Sequence, residues 1–443
     1  MPRSLLIENG TLLSPGTPGW VRRNHSILIE DGLIARVAPS GRFRGFTGRR
    51  LDATGQVVMP GLINAHTHCY SAFARGFTAA KPSRDFLSVL RNLWWRIDSA
   101  LTTEDCYHSA LLVLIDAIRH GTTTVIDHHA SPGCVDGSLD ALARAARETG
   151  LRACLCYEVS DRDGPPAARR GLAENARFIR RCQADGGSAL QALVGLHASF
   201  TLSNPTLRAA AELGGDLRTG FHVHVAEARS DQRATRAATG MGVVRRLRHF
   251  GILGPRSLAA HCVHVSPREM DLLAGSGTAV VHNPQSNLNN AVGIADVVEQ
   301  VRRGILVGLG TDAMTSNLLE ELRVALWGQH FARRDPSVGF AEVTGALFGG
   351  NAEIAGRIFG LRLGEIRAGC AGDLAGFNYD PPTPLRGANA LGHVLFGLSQ
   401  APVATTVAQG RVLLERGRLK LDLDEARINA RARELAKKLW QRL

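Results

Sequence analysis

Apolar runs of strand length, each ending in polar residues, recur along this chain at 57–66, 122–128, 151–158, 192–197, 219–227, 257–261, 278–283 and 304–312. The stretches between them have room for helices, and helical spacing of apolar positions is clearest over 138–148, 167–181, 231–250 and 318–331. Strands alternating with helices predict a parallel sheet, and eight such units predict an α/β fold of the (β/α)8 barrel type.

Residues 1–57 have a different texture. Short strands and turns alternate at 4–7, 26–30 and 33–37, with Asp31-Gly32 marking a two-residue hairpin turn. The same texture returns after 365, at 373–377, 403–408 and 412–415, and 423–443 reads as an amphipathic helix. One small β-sandwich domain made from 1–57 and 366–443 buries both sets, leaving 58–365 as the barrel. Residues 1–10 read as a strand entering a turn and lack the apolar region of a signal peptide.

The ends of the runs carry the chemistry. In His66-Thr67-His68 the two imidazoles stand two residues apart, so an extended backbone points both to one side, where they can grip one ion. Barrel active sites sit at the C-terminal ends of strands, and this pair follows the apolar stretch Pro60-Gly61-Leu62-Ile63-Asn64-Ala65. His222-Val223-His224-Val225-Ala226-Glu227 repeats the logic and adds a carboxylate three residues beyond His224, suited to carrying a proton from an activated water to a leaving nitrogen. His222 shares the face of His224 and is read as its support. Asp312 ends the last run, as metal ligand and proton acceptor, and His261 ends another, where it orients or polarises the attacking hydroxide.

Composition narrows the setting. With 443 residues, 44% hydrophobic and 21% charged, the chain can bury a sizeable core, and it lacks the run of roughly 18 apolar residues that a membrane helix needs. A cytoplasmic location fits eight scattered cysteines with no Cys-x-x-Cys pair, and Cys69 and Cys262, each next to a motif histidine, read as small packing residues. The net charge of +12 comes from arginines spread along the chain without interleaved aromatics, which argues for solvated helix faces and against a nucleic-acid partner. The only lysines are Lys81, Lys420, Lys437 and Lys438, so a barrel that bridges two ions through a modified lysine cannot be built here, and one metal is expected.

Taken together, Pro60-Gly61-Leu62-Ile63-Asn64-Ala65-His66-Thr67-His68, His224-x-x-Glu227, His261 and Gly310-Thr311-Asp312 resemble the amidohydrolase superfamily, in particular its cytosine deaminase, guanine deaminase and chlorohydrolase branch. The resemblance spans nearly the whole chain, including the split β domain, whose return is marked by Ala368-Gly369-Cys370-Ala371-Gly372-Asp373-Leu374. Within the branch, Asn92 to Asp98, Val125 to Pro132 and His282 to Asn290 are similar to the SsnA aminohydrolase group. Ala313, where many relatives carry Gly, and Gly372, where the signature usually has Ala, depart from the pattern without touching the chemistry.

The resemblance implies a TIM-like, metal-dependent barrel with His66, His68, His224 and Asp312 as ligands to one Zn²⁺ per chain, Fe²⁺ being the alternative. It implies Glu227, His261 and Asp312 as catalytic groups, hydrolytic deamination of a purine-like heterocycle, a small-molecule substrate and a homo-oligomer. Triazine-type chloride or alkylamine displacement is the alternative reaction; chloride leaves without protonation, so Glu227 favours loss of an amine. For substrate contact, His197 at the end of the fourth run leads, followed by Trp95, Asp98, His129 with its neighbour His128, and the loop from Asn283 to Asn290. Trp94 shares helical spacing with Phe86, Leu90 and Ile97 and is assigned to the core.

Overall fold

Two parallel arcs of strands carry the site. The structure, a computed structural model, describes residues 4–15, 21–79 and 81–443, so the expectation for residues 1–3 lies outside the described residues. One arc runs in the order Leu190–Ala192, Arg152–Leu155, Thr122–Asp127 and Leu62–Thr67. The other runs Val194–Ala198, Phe221–Val225, Leu258–His261, Ala279–His282 and Val307–Leu309. The expected strand at 192–197 thus serves both arcs, broken at Leu193, whose N–H donates to Leu155 O at 3.3 Å. Single bridges, Val159 with Leu196 and Thr67 with Asp312, connect the two arcs at their flanks.

Alternation along these strands sorts their side chains. Val125, Leu155, Leu196, Val223, Val225, Val280 and Leu309 join the large apolar cluster shared with the surrounding helices. Their neighbours Ile63, Ala65, Ile126, Cys154, Cys156, Leu258 and Val281 form a second cluster, and the period of two, with His222 paired to Leu258, puts His222 and His224 on that same side. Helices occupy the connections, among them Thr103–Arg119, Ser138–Thr149, Pro165–Asp185 and Leu318–Arg333. The single helix expected over 231–250 is two, Arg229–Thr239 and Val243–His249, because Gly240 takes a left-handed φ of 69° and ends the first.

Both chain ends contribute to two further sheets. A four-stranded sheet has the order Leu33–Pro39, His25–Glu30, Ser4–Glu8, Arg49–Asp52, and its Asp31-Gly32 turn has φ of 48° and 82°, both positive as a type I′ hairpin requires. The seven-stranded sheet joins Thr11–Leu13 and Gln56–Pro60 from the N-terminal part edge to edge with Leu374–Asn378, Val403–Ala408 and Arg411–Glu415. Leu5, Ile27, Ile29, Val58, Leu374 and Val407 belong to one apolar cluster drawn from both sheets. Gln56–Pro60 pairs with Leu374–Asn378, so the expected boundary after residue 57 cuts through a strand. The helix Glu425–Arg442 lies against Thr103–Arg119, and Arg431 reaches Glu104 at 2.7 Å. Arginines pair with acids across many helix faces, as in Arg144–Glu148 and Arg333–Asp296. No described helix is long and apolar enough to cross a membrane.

Candidate metal centre and substrate cavity

His66, His68, His224, His261 and Asp312 converge where the two arcs meet. Thr311 N–H and Asp312 N–H both donate to His66 O, at 2.9 and 3.0 Å, pinning the last strand end to the first. Gly310 makes this approach feasible: a Cβ there would lie 2.7 Å from His66 O and 2.5 Å from Asn283 Oδ1. The strand ends are bent to aim their side chains. Ala226, His261 and Asp312 have φ of 47°, 73° and 51°, a region non-glycine residues occupy at a cost. Asp231 steadies the first of these bends by accepting from the N–H groups of Glu227 and Ala228 at 3.0 and 3.3 Å.

The imidazoles are held by one nitrogen each. His66 Nδ1 lies 2.8 Å from His222 Nε2, His68 Nδ1 2.5 Å from His128 O and His224 Nδ1 2.9 Å from His197 O. With Nδ1 committed, Nε2 of each ring is the free donor, the arrangement a metal-ligating histidine needs.

The spacing of these donors suits one cation. Two donors at about 2.1 Å from a tetrahedral zinc stand roughly 3.4 Å apart. His68 Nε2 and His224 Nε2 are 3.4 Å apart, and Asp312 Oδ1 lies 2.9 Å from His68 Nε2 and 3.6 Å from His66 Nε2. His66 Nε2 and His261 Nε2 are buried without a hydrogen-bond partner, the signature of a group waiting for an ion or a water. Cys69 and Cys262 are buried and belong to none of the donor clusters among the described residues.

Charge is divided unevenly across the centre. Burial works against charge on His68 and on Asp312, but their mutual contact overrides it: His68 is raised to about 9, and with His66 it holds Asp312 well below the usual carboxylate range. His66 is lowered to about 3 by burial. Glu227 moves the other way, pushed well up by burial and then by the charges of Asp312 and Asp231. His261 Nε2 stands between the two carboxylates, 3.5 Å from Glu227 Oε2 and 3.9 Å from Asp312 Oδ2. Its Nδ1 is 2.8 Å from Asn287 Oδ1.

In front of this centre lies a cavity whose wall includes His68, His197, His224, Glu227, His261 and Asp312. A model of the amidohydrolase family matches residues 57–413. The chain belongs to the amidohydrolase family. It is 32% identical over 426 residues to a 5-methylthioadenosine/S-adenosylhomocysteine deaminase of Desulforudis audaxviator, covering 93% of this chain and 94% of that one. It is also 32% identical over 431 residues to a 5'-deoxyadenosine deaminase of Methanothermobacter thermautotrophicus, covering 94% and 95%. Among solved structures, a zinc-bound adenosine deaminase from Xanthomonas campestris shares the fold with a TM-score of 0.86 at 23% identity, over 99% of this chain and 98% of that one.

This amidohydrolase places its expected substrate residues unevenly. His197, Trp95 and Asp98 line the cavity. His129 and Asn283 do not: both are wholly buried, His129 Nε2 against Ser131 Oγ at 2.9 Å and Asn283 Nδ2 donating to Val281 O at 3.2 Å. His128 is likewise inside, bonded through Nε2 to His222 O at 3.1 Å. From the 283–290 loop, Ser286 and Asn290 reach the cavity instead, and Asn290 Nδ2 lies 3.4 Å from Glu227 Oε1. Trp94, assigned to the core, also lines the wall, because Leu90–Trp94 winds as a π-helix and turns both tryptophans inward.

Sequence reasoning missed Glu158 and Arg162, and it placed Asn287 only within a loop expected to contact substrate. Glu158 closes the third apolar run just as Asp312 closes the eighth, so its position was the available signal. Arg162 offered none, since its Nη2 binds Asp98 Oδ2 at 2.6 Å across 64 residues, and nothing local tied Asn287 to His261, which it meets across 26.

Proposed function

We propose that this amidohydrolase removes an amino group hydrolytically from a purine-like nitrogen heterocycle. The observation that carries the reading is the placement of His261 Nε2 between two carboxylates pushed in opposite directions, Asp312 towards its charged form by His66 and His68 and Glu227 towards its neutral form by burial, at the floor of a cavity. Two acids displaced in opposite directions are suited to opposite proton roles.

In this reading His66, His68, His224 and Asp312 hold one divalent ion, zinc or ferrous iron. Such an ion, when bound, brings the pKa of water to about 7 and so supplies the nucleophile at neutral pH. Asp312 accepts the proton of the attacking water, Glu227 gives a proton to the departing nitrogen and is recharged from Asp312, and His261 steadies the charge that develops on the oxygen. One C–O bond forms and one C–N bond breaks, so an amino ring and water give an oxo ring and ammonia. The names of the two deaminase relatives support this reaction over halide displacement.

The architecture that goes with this reading is a (β/α)8 barrel over 58–365 and a β-sandwich from 1–57 and 366–443, the shared sheet at Gln56–Pro60 fastening one to the other. Ammonia release by zinc-loaded enzyme, screened over amino-purines, amino-pyrimidines, pterins and amino-triazines, tests the function. Ammonia in step with a change in ring absorbance is expected; ring opening, or chloride release with no ammonia from any amino heterocycle, overturns it.

A further inference from the structure

The cavity is small, and its wall asks for a particular ligand. About 50 Å³ of it is open to the centre of a water molecule, where a single water needs roughly 10–15 Å³ by such a measure. That is room for a flat ring displacing a few waters at the inner end of the cavity. The outer wall is a packed cluster in which Phe86 and Leu90 are buried and Trp94, Trp95 and Phe200 lean on them. A ribose would bring hydroxyls against this apolar part of the wall, where they lose water. The carboxylate beside the tryptophans is already engaged at both oxygens: Asp98 Oδ2 takes Arg162 Nη2 at 2.6 Å, and Oδ1 accepts from Ser99 Oγ at 3.2 Å.

Deeper in the cavity, Glu158 is unfinished. Its side chain is 5% exposed; Oε2 sits 3.1 Å from His128 Nδ1, whereas Oε1 has His197 Nε2 only at 3.8 Å, beyond hydrogen-bond distance. A charged carboxylate accepts and never donates, so an N–H or O–H of a ligand suits the open Oε1. A free base carries a ring N–H at the atom where its riboside carries the sugar.

We propose that the substrate is a free heterocyclic base, and that Glu158 accepts a ring N–H which the corresponding riboside or N-alkyl derivative lacks. This rests on the aminohydrolase reading of the same site. It separates this chain from relatives whose names are those of nucleoside deaminases.

The test is a matched panel on the zinc-loaded enzyme: amino-purine and amino-pyrimidine bases, their ribosides, and the bases methylated at the same ring nitrogen. At least one base is expected to exceed its riboside and its N-methyl form in kcat/KM by on the order of 10² or more, since a site built around a hydrogen bond rejects an analogue lacking it. Ribosides processed as well as or better than their bases overturn the proposal and leave the aminohydrolase reading standing; no ammonia from any member takes down both. Glu158→Gln should keep its zinc and lose kcat/KM on the base at least tenfold, mainly through KM, and an unchanged KM counts against the assignment. Should that variant fail to fold, calorimetry on the wild-type enzyme decides, because equal affinity for the oxo product and its N-methyl form overturns the role of Glu158.

Discussion

His66 and His222 are hydrogen-bonded through Nδ1 and Nε2 at 2.8 Å, although 156 residues separate them. If His66 gives Nε2 to a metal, Nδ1 carries the proton and His222 Nε2 accepts it, leaving His222 Nδ1 to face Cys156 Sγ at 3.9 Å. His222 therefore fixes both the tautomer and the orientation of a ligand without touching the ion. His222→Ala is expected to weaken zinc binding by about 10- to 100-fold, measured by competition with a chelator; wild-type affinity would remove His222 from the centre.

Glu227 and His224 lie on one strand end but should fail in different ways. Glu227→Gln is expected to keep its metal while turnover falls on the order of 10² to 10⁴, the usual size of a general acid–base contribution. His224→Ala should lose metal first. Elemental analysis alongside initial rates separates the two, and near-normal deamination by metal-loaded Glu227→Gln would refute the proton-relay role.

Asn287 holds His261 from the short helix Pro284–Asn289. Asn287→Ala should lower kcat about tenfold with KM and metal content little changed, a loss below the roughly 10² to 10⁴ of removing the acid–base group itself. The acid limb of the pH–rate profile should move as well, because His261 loses the carbonyl that fixes its Nδ1–H. A drop in metal content with no change in the profile would indicate a merely structural role.

Asp98 and Arg162 form an ion pair with side chains 2% and 9% exposed. Removing one partner of a buried pair strands the other charge, at a cost of about 3–5 kcal/mol. Asp98→Ala should lower the unfolding free energy by that order in denaturant titrations, while Asp98→Ala with Arg162→Met should recover part of it. Equal loss in the single and double variants would show that the pair is not what stabilises this wall.

Acid should destabilise the fold through its buried histidines. Burial lowers His197 to about 4 and His129 and His282 to about 3, against 6.5 for the unfolded chain. Between pH 6.5 and those values the unfolded chain binds more protons, so stability rises with pH across this window and is lost as pH falls through it. The denaturation midpoint is expected to drop between pH 7 and pH 5, and His282→Leu, which removes one such group away from the proposed ligands, should flatten the slope. A midpoint independent of pH over that range would contradict the assignment.

Periodicity made much of this protein readable in one dimension. The i, i+2 spacing of His66 and His68, and of His222 and His224, places each pair on one face of an extended strand whatever the strand packs against. Asp31-Gly32 likewise specifies its hairpin, because positive φ at two consecutive positions leaves few other turns. What these local rules cannot say is which strand ends adjoin. The contacts of His222 with His66, Asn287 with His261 and Arg162 with Asp98 arise only once packing has set the order of the strands and the path of the loops. For the same reason His129 and Asn283, polar and well placed in sequence, turn into the protein interior, and a π-turn that apolar spacing does not reveal brings Trp94 to the cavity. Alternation decided which side chains face inward; long-range packing decided which of them meet the substrate cavity.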